Sequence, residues 1–292
     1  MESLPMRLRL SRATLFHTSR FAITSVAVVL CAGFGLAQDS ASPTPPGWKL
    51  VWHDEFDGKK LDYSKWEAEV NAFGGGNNEL QMFTDRKENV RVEEGTLVIE
   101  VHKEQIGIQG TTRDYSSARV RTKHRGDWKY GRFDIKAKLP KGRGVWPAIW
   151  MLPTEDTYGG WAKSGEIDIV EVKGQEPNRL WTTLHYGDAW PKNQSGGGQY
   201  VLPKSDFAAD FHLFTLEWEE REMRWLVDNQ LVYKRSEWNS VSAPYPAPFD
   251  QPFHLLLNLS VGGGFVGNPD ASTAFPQKML IDFVRVYEKS DR

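Results

Sequence analysis

Ser164-Gly-Glu-Ile-Asp-Ile-Val-Glu-Val-Lys-Gly174 sets three carboxylates, Glu166, Asp168 and Glu171, into an otherwise apolar, β-branched run. Isoleucine and valine favour a strand. In a strand alternate side chains share a face, so Glu166 and Asp168 point one way and Ile167 and Ile169 the other. Strict alternation then turns Glu171 to the wrong side. Either Glu171 is an ordinary solvated charge, or one extra residue near Ile169 and Val170 forms a β-bulge that brings it back. With the bulge, Glu166 and Glu171 sit four strand steps apart, roughly 13 Å between α-carbons. Side chains leaning together close that to roughly 5 Å, the carboxyl separation of a retaining glycosidase rather than the roughly 6.5–9.5 Å of an inverting one. Two other readings of the acids are an edge strand guarded by charge and a Ca²⁺ site built from carboxylate oxygens.

The start of the chain reads as a leader. Arg7, Arg9, Arg12 and Arg20 precede the apolar run from Phe21 to Ala37, the pattern of a secretory signal over residues 1–37, cut after Gly35-Leu36-Ala37. Met6 is an alternative start. A stable membrane anchor is not expected, since about 17 apolar residues with several Gly, Ala, Ser and Thr fall short of a span of about 20. The single cysteine, Cys31, lies in this run, and Leu30 stands before it where a lipoprotein signal has a small residue. Cleavage leaves a secreted or periplasmic chain of 255 residues, 292 less 37, without disulfides and large enough to be held by its core. It also removes four of 36 basic and one of 38 acidic residues, for a net charge of −5. No basic patch suggests nucleic acid, and nothing points beyond a monomer. Residues 38–47, with Pro43, Pro45 and Pro46, form an extended tether; residues 48–289 form the domain.

From Trp48 to Tyr287 short alternating runs are separated by Gly, Pro, Asn and Asp. Leu97–Val101, Phe133–Leu139, Phe214–Trp218, Met223–Val227, Leu231–Tyr233, Phe253–Leu259 and Met279–Tyr287 read as strands, with Asp228-Asn229-Gln230 a hairpin turn. No stretch holds a helical period over twelve residues. The fold class is therefore all-β, a β-sandwich of jelly-roll type. Trp52, Trp66, Trp218 and Trp225 sit in or beside strand patterns and are assigned to the core. Trp146 and Trp150 follow the Gly-rich turn Lys141–Gly144, and Trp161 leads directly into Glu166. Their flat apolar faces around an acidic strand suit sugar rings. Asn77-Asn-Glu79, Arg119, His185 and Asn258 are the other polar candidates. Asn258 interrupts a nearly continuous apolar run, where an amide needs buried partners or a ligand.

Glu166-Ile-Asp-Ile-Val-Glu171 resembles the bulged active-site strand of glycoside hydrolase family 16. The resemblance extends through Leu50–Gly58, Asn77–Gln81, Tyr130–Phe133, Trp146–Leu152, Thr183–Tyr186, Asn258–Gly263 and Asp282–Tyr287, nearly the whole chain after the leader. Within the family it is most similar to bacterial laminarinases, endo-acting on β-1,3-glucan; lichenase-type members lack the extra residue between the Asp and the second Glu. It implies a concanavalin A-like jelly roll with a concave substrate groove and a retaining mechanism without a catalytic cofactor. By the same resemblance Glu166 is the nucleophile, Glu171 the general acid and then base, and Asp168 the residue that hydrogen-bonds the nucleophile and tunes both. Asn77, Arg119, Trp146, Trp150, Trp161, His185 and Asn258 line the groove. A structural Ca²⁺ on the convex side would use Glu55, Gly95 and Asp282. Phe265 stands where many laminarinases carry a Trp-Pro pair, implying a smaller platform in one subsite. Rival functions are a mixed-linkage β-1,3-1,4-glucanase, a marine galactanase, and a non-catalytic β-glucan-binding lectin.

Overall fold

The computed structural model describes residues 44–108 and 110–290. The leader, Cys31 and most of the tether lie outside these residues. Alternation and turn residues cut the chain into eighteen strands: β1 (Trp48–Asp54), β2 (Glu67–Ala68), β3 (Gln81–Phe83), β4 (Val90–Glu93), β5 (Thr96–Ile108), β6 (Thr111–Ser117), β7 (Arg119–Arg121), β8 (Asp127–Trp128), β9 (Gly131–Lys138), β10 (Val145–Pro153), β11 (Glu166–Val172), β12 (Arg179–Tyr186), β13 (Gln194–Val201), β14 (His212–Trp218), β15 (Met223–Val227), β16 (Gln230–Arg235), β17 (Phe253–Val261) and β18 (Gln277–Lys289). The only helical element among the described residues is a 3₁₀ turn at Gly74–Gly76. None of their helices is long and apolar enough to cross a membrane.

The strands form two sheets, the layered solution that buries one face of each. The ten-stranded sheet runs β16-β15-β14-β9-β18-β5-β6-β3, with β1 on β18 and β4 on β5. The eight-stranded sheet runs β13-β12-β11-β10-β17-β7-β2, with β8 on β17. This is the jelly-roll sandwich expected. The acid-bearing strand β11 lies between β10 and β12, so its charges do not guard an edge.

Period-two alternation decides which side chains meet between the sheets. Leu97, Ile99, Phe133, Ile135, Leu216 and Val286 of one sheet face Ile149, Met151, Ile167, Leu255, Leu257 and Leu259 of the other in one continuous core. Each such side chain contributes about 1.5–3 kcal/mol on burial. Trp66, Trp218 and Trp225 are fully buried, and Trp52 is partly buried against Trp66 and Trp128.

Two local departures have a physical cause. The turn after β15 is two residues, Asp228 and Asn229, both at positive φ (49° and 64°), with Gln230 already in β16; that conformation matches strand twist in tight hairpins. Strand β13 carries Gly196-Gly197-Gly198, outside the runs read as strands from the sequence. A Cβ on Gly197 would stand 1.9 Å from the Thr182 carbonyl oxygen, so glycine is what lets β13 lie on β12.

Candidate active site

The bulge is present, and Ile169 is the extra residue. On the β12 side Asp168 pairs with Thr183 and Glu171 with Trp181, three steps of β11 against two of β12. On the β10 side Val170 pairs with Ile149 and Asp168 with Trp150, two steps against one. Ile169 joins the core with Ile167, Val170 and Val172. Glu166, Asp168 and Glu171 all line a cleft of about 550 Å³. Glu166 pairs with His185 and Glu171 with Trp181, so the two glutamates stand four partner-strand positions apart, roughly 13 Å along the backbone. A bulge interrupts the ladder, and the Asp168 main-chain carbonyl accepts a 3.0 Å hydrogen bond from Trp225 Nε1 of the opposing sheet.

The floor of the cleft follows from the same alternation. Trp146, Ala148 and Trp150 alternate out of β10, and Asn258 and Ser260 out of β17. Ala148 pairs with Glu171 on one side and Asn258 on the other, so a methyl group is all that stands between them. Asn258 is buried but satisfied: its Oδ1 accepts from Trp150 Nε1 at 2.6 Å and its Nδ2 donates to Ser260 Oγ at 3.0 Å. The chain of bonds continues from Ser260 Oγ to Glu79 Oε2 at 2.8 Å and from Gln81 Nε2 to Glu79 Oε2 at 2.7 Å. Gly75, at φ 56°, lies so close to Glu79 that a Cβ there would be 2.1 Å from Oε1. Arg119 pairs with Asn258 across β7 and β17, and its guanidinium lies 4.5 Å from the Phe83 ring centre and 5.2 Å from that of Trp150.

Each glutamate has an indole partner. Trp161 Nε1 donates to Glu166 Oε2 at 2.7 Å, and Trp146 Nε1 donates to Glu171 Oε1 at 3.2 Å. His185 Nε2 lies 3.4 Å from Asp168 Oδ2 and 3.9 Å from Glu166 Oε1. Asp168 is 3% exposed, while Glu166 opens onto the cleft with 15% of its side chain exposed. Burial, and behind it the charge of Asp168, pushes the Glu166 carboxyl up to about 8; His185 and the Trp161 N–H act the other way. Burial raises Asp168 as well. Burial, then the charges of Asp168 and Glu166, holds Glu171 well above the usual carboxylate range. Three acids in one cleft cannot all ionise together, and the proton count belongs to the group rather than to any one member.

The expected groove residues Asn77, Arg119, Trp146, Trp150, Trp161 and Asn258 all line the cleft, and His185 adjoins it through Asp168 and the Trp161 ring, 5.5 Å away. Sequence reading missed Phe73 and Trp190, rings that are 64% and 72% exposed yet line the same cleft; Glu79, a candidate together with Asn77, is buried and lines it too. The sequence signal for Trp190 was its position closely following His185. Phe265 packs 5.1 Å from Trp146 and 5.5 Å from Trp181, with Lys173 Nζ 4.5 Å from its ring centre.

The expected calcium ligands stand differently. Glu55 gives both carboxylate oxygens to Arg285, at 2.8 and 2.7 Å, and Asp282 gives one to Lys136 at 2.8 Å. Ca²⁺ takes six to eight oxygens, and these side chains leave one carboxylate oxygen that does not already face a cation. Gly95 would give its main-chain carbonyl, as the resemblance implies. This side-chain donor set does not fit the ion.

The chain matches the family model of glycosyl hydrolases family 16 over residues 77–285. It is 44% identical over 269 residues to the glucan endo-1,3-beta-glucosidase A1 of Niallia circulans, covering 85% of this chain and 39% of that one. It is 40% identical over 281 residues to a beta-glucanase of Rhodothermus marinus, covering 90% of this chain and 93% of that one. Among solved structures, the catalytic domain of an endo-1,3-beta-glucanase (laminarinase) from Thermotoga petrophila RKU-1 superposes with a TM-score of 0.76 at 42% identity, over 84% of this chain and 99% of that one.

Proposed function

We propose that this chain, which belongs to glycosyl hydrolases family 16 and is therefore a glycoside hydrolase, is a secreted enzyme that cuts internal β-1,3 linkages of glucan with retention of configuration. The carrying observation is the placement of Glu166 and Glu171 on one face of β11, four partner positions apart. That spacing suits carboxyls about 5 Å apart, the geometry of double displacement. The 1,3-glucan preference is supported by the names of the Niallia circulans and Thermotoga petrophila proteins. Secretion is supported by the arginine-rich start and the apolar run up to Ala37.

In this mechanism Glu171, its carboxyl raised by burial and by the neighbouring charges, gives its proton to the departing glycosidic oxygen. Glu166 attacks the anomeric carbon and forms a glycosyl-enzyme ester. Glu171, now ionised, takes a proton from the water that cleaves the ester. The Trp161 N–H fixes one oxygen of Glu166, leaving the other to attack. Asp168 shares the site's charge with Glu166, and the Trp146 N–H aims Glu171. Trp146, Trp150 and Trp161 offer flat apolar surfaces to the sugar rings, and the Ala148 floor leaves room for them.

Proton NMR of the first product from laminarin tests the reading. The β anomer is expected first; an initial α product would mean that a water stands between the carboxylates. Comparing laminarin with mixed-linkage β-glucan and agarose fixes the linkage, laminarin being turned over fastest. A lectin would hydrolyse none of them.

A further inference from the structure

His185 Nε2 faces two carboxylate oxygens at once, Asp168 Oδ2 at 3.4 Å and Glu166 Oε1 at 3.9 Å. One nitrogen and one oxygen from each acid lie within 4.8 Å of one another. Donors bound to a single tetrahedral ion at about 2.0–2.2 Å stand roughly 3.3–3.6 Å apart, close to the spacing already present. Asp168 supplies a second, independent sign. It is 3% exposed, and its Oδ2 has no hydrogen-bond donor among the described residues, although it points at the histidine. A buried, unsatisfied carboxylate oxygen is costly unless something satisfies it.

We propose that the cleft also binds a zinc-class divalent transition-metal ion through Glu166, Asp168 and His185, and that this binding switches hydrolysis off. The donor set is two carboxylate oxygens and one imidazole nitrogen, with the cleft leaving a fourth position open to water. That is the pattern zinc takes when three protein ligands hold it. Imidazole favours zinc-class ions over magnesium and calcium, which prefer all-oxygen shells of six or more ligands. The ligands sit on two adjacent strands, Glu166 pairing with His185 and Asp168 with Thr183, so the site needs no loop to close. Bound there, the ion takes up the Glu166 oxygen that would attack the sugar. The inhibitory half of the proposal rests on the glucanase reading above; the binding half does not.

Calorimetric titration of the full chain with zinc chloride reads binding directly. One ion per chain is expected, displaced by a chelator and unaffected by excess magnesium. His185→Ala and Asp168→Asn each weaken that binding by about tenfold or more, since even outer partners of metal ligands cost 10–100-fold. A zinc-dependent rise in melting temperature disappears in the same variants, and circular dichroism establishes that they are folded. Laminarin hydrolysis by the unsubstituted protein falls with the same midpoint as binding and returns on chelation. The proposal is overturned if no stoichiometric zinc binds, or if His185→Ala binds it as tightly as the unsubstituted protein, which would place the ion elsewhere. It is equally overturned if zinc binds and turnover is unaffected. Failure of the glucanase reading shows separately, as no laminarin hydrolysis before any metal is added.

Discussion

The indole nitrogen of Trp225, in the sheet away from the cleft, lies 3.0 Å from the main-chain carbonyl oxygen of Asp168. The bond crosses the sandwich and ends where the register of β11 slips. Trp225→Phe keeps most of the buried ring and removes the donor. It is expected to cost about 1–3 kcal/mol in urea unfolding, the penalty of a buried carbonyl left unpaired. It should also lower kcat on laminarin while KM changes little, because the carbonyl it frees precedes the bulge that aims Glu171. Equal kcat values for the two proteins would show that the bulge holds without this bond.

Length changes at the bulge give an asymmetric prediction. Deleting Ile169 leaves Glu-Ile-Asp-Val-Glu in strict alternation, with all three acids on the cleft side and four steps between the glutamates. Inserting an alanine after Ile169 also allows regular alternation, but adds two steps, about 6.6 Å at 3.3 Å per residue. The deletion, although it removes a side chain that is 2% exposed, should keep measurable glucanase activity. The insertion should abolish it in a protein still folded by circular dichroism. The reverse order of activities would contradict the spacing argument.

These two positions mark what was legible in the sequence. The odd interval between Glu166 and Glu171 offered a bulge or a solvated Glu171, and the structure has the bulge; Asn258 in an apolar run called for buried partners or a ligand, and Trp150 and Ser260 are its partners. The sheet pattern was readable at β5, β9, β11 and β14 to β18, while other strands, among them β12 with its alternating burial, were not picked out. It failed at β13, whose glycines are required by the backbone of Thr182 rather than by any pattern in their own segment. Phe73 and Trp190 escaped because a loop aromatic has no period that says which way it faces. The ion pair of Glu55 with Arg285 was not legible either, since a carboxylate's partner is set by the fold, and Arg285 lies far from Glu55 in sequence.

The cleft acids should make the protein less stable as pH rises. A carboxyl whose folded value exceeds its unfolded one holds its proton more tightly in the native state, so stability drains away as pH climbs past the unfolded value. For Glu166 that window runs from about 4.5 to about 8. Glu166→Gln removes the charge and keeps the shape. Its melting temperature should exceed that of the unsubstituted protein by a few degrees at about pH 8, and match it near pH 4. A variant no more stable at about pH 8 would mean that the buried charge is fully compensated.

His254 acts at the other end of the scale. It is buried, and neither ring nitrogen has a hydrogen-bonding partner among the described residues. Burial, followed by the charges of Lys123, Arg121 and His124, pushes its pKa down to about 3. The unfolded chain therefore takes up this proton first, so the stability that neutral His254 supports is intact above about 6.5 and is lost as pH falls toward about 3. His254→Leu should lose less melting temperature between about pH 6.5 and 4 than the unsubstituted protein does. Parallel curves would remove His254 from the acid response.

Strands β1 and β18 run antiparallel side by side, Trp48 opposite Lys289, and Ser290 N donates to Gly47 O at 3.0 Å. The way into the domain and the way out are therefore neighbours, and both belong to the sheet that does not carry the acids. A short linker could join them, and new ends could be opened at the Asp228-Asn229 hairpin, leaving every rung of the acid-bearing sheet uncut. For anyone grafting this domain onto another module, Gly47 and Ser290 serve as a single attachment point, with the acid-bearing strand untouched.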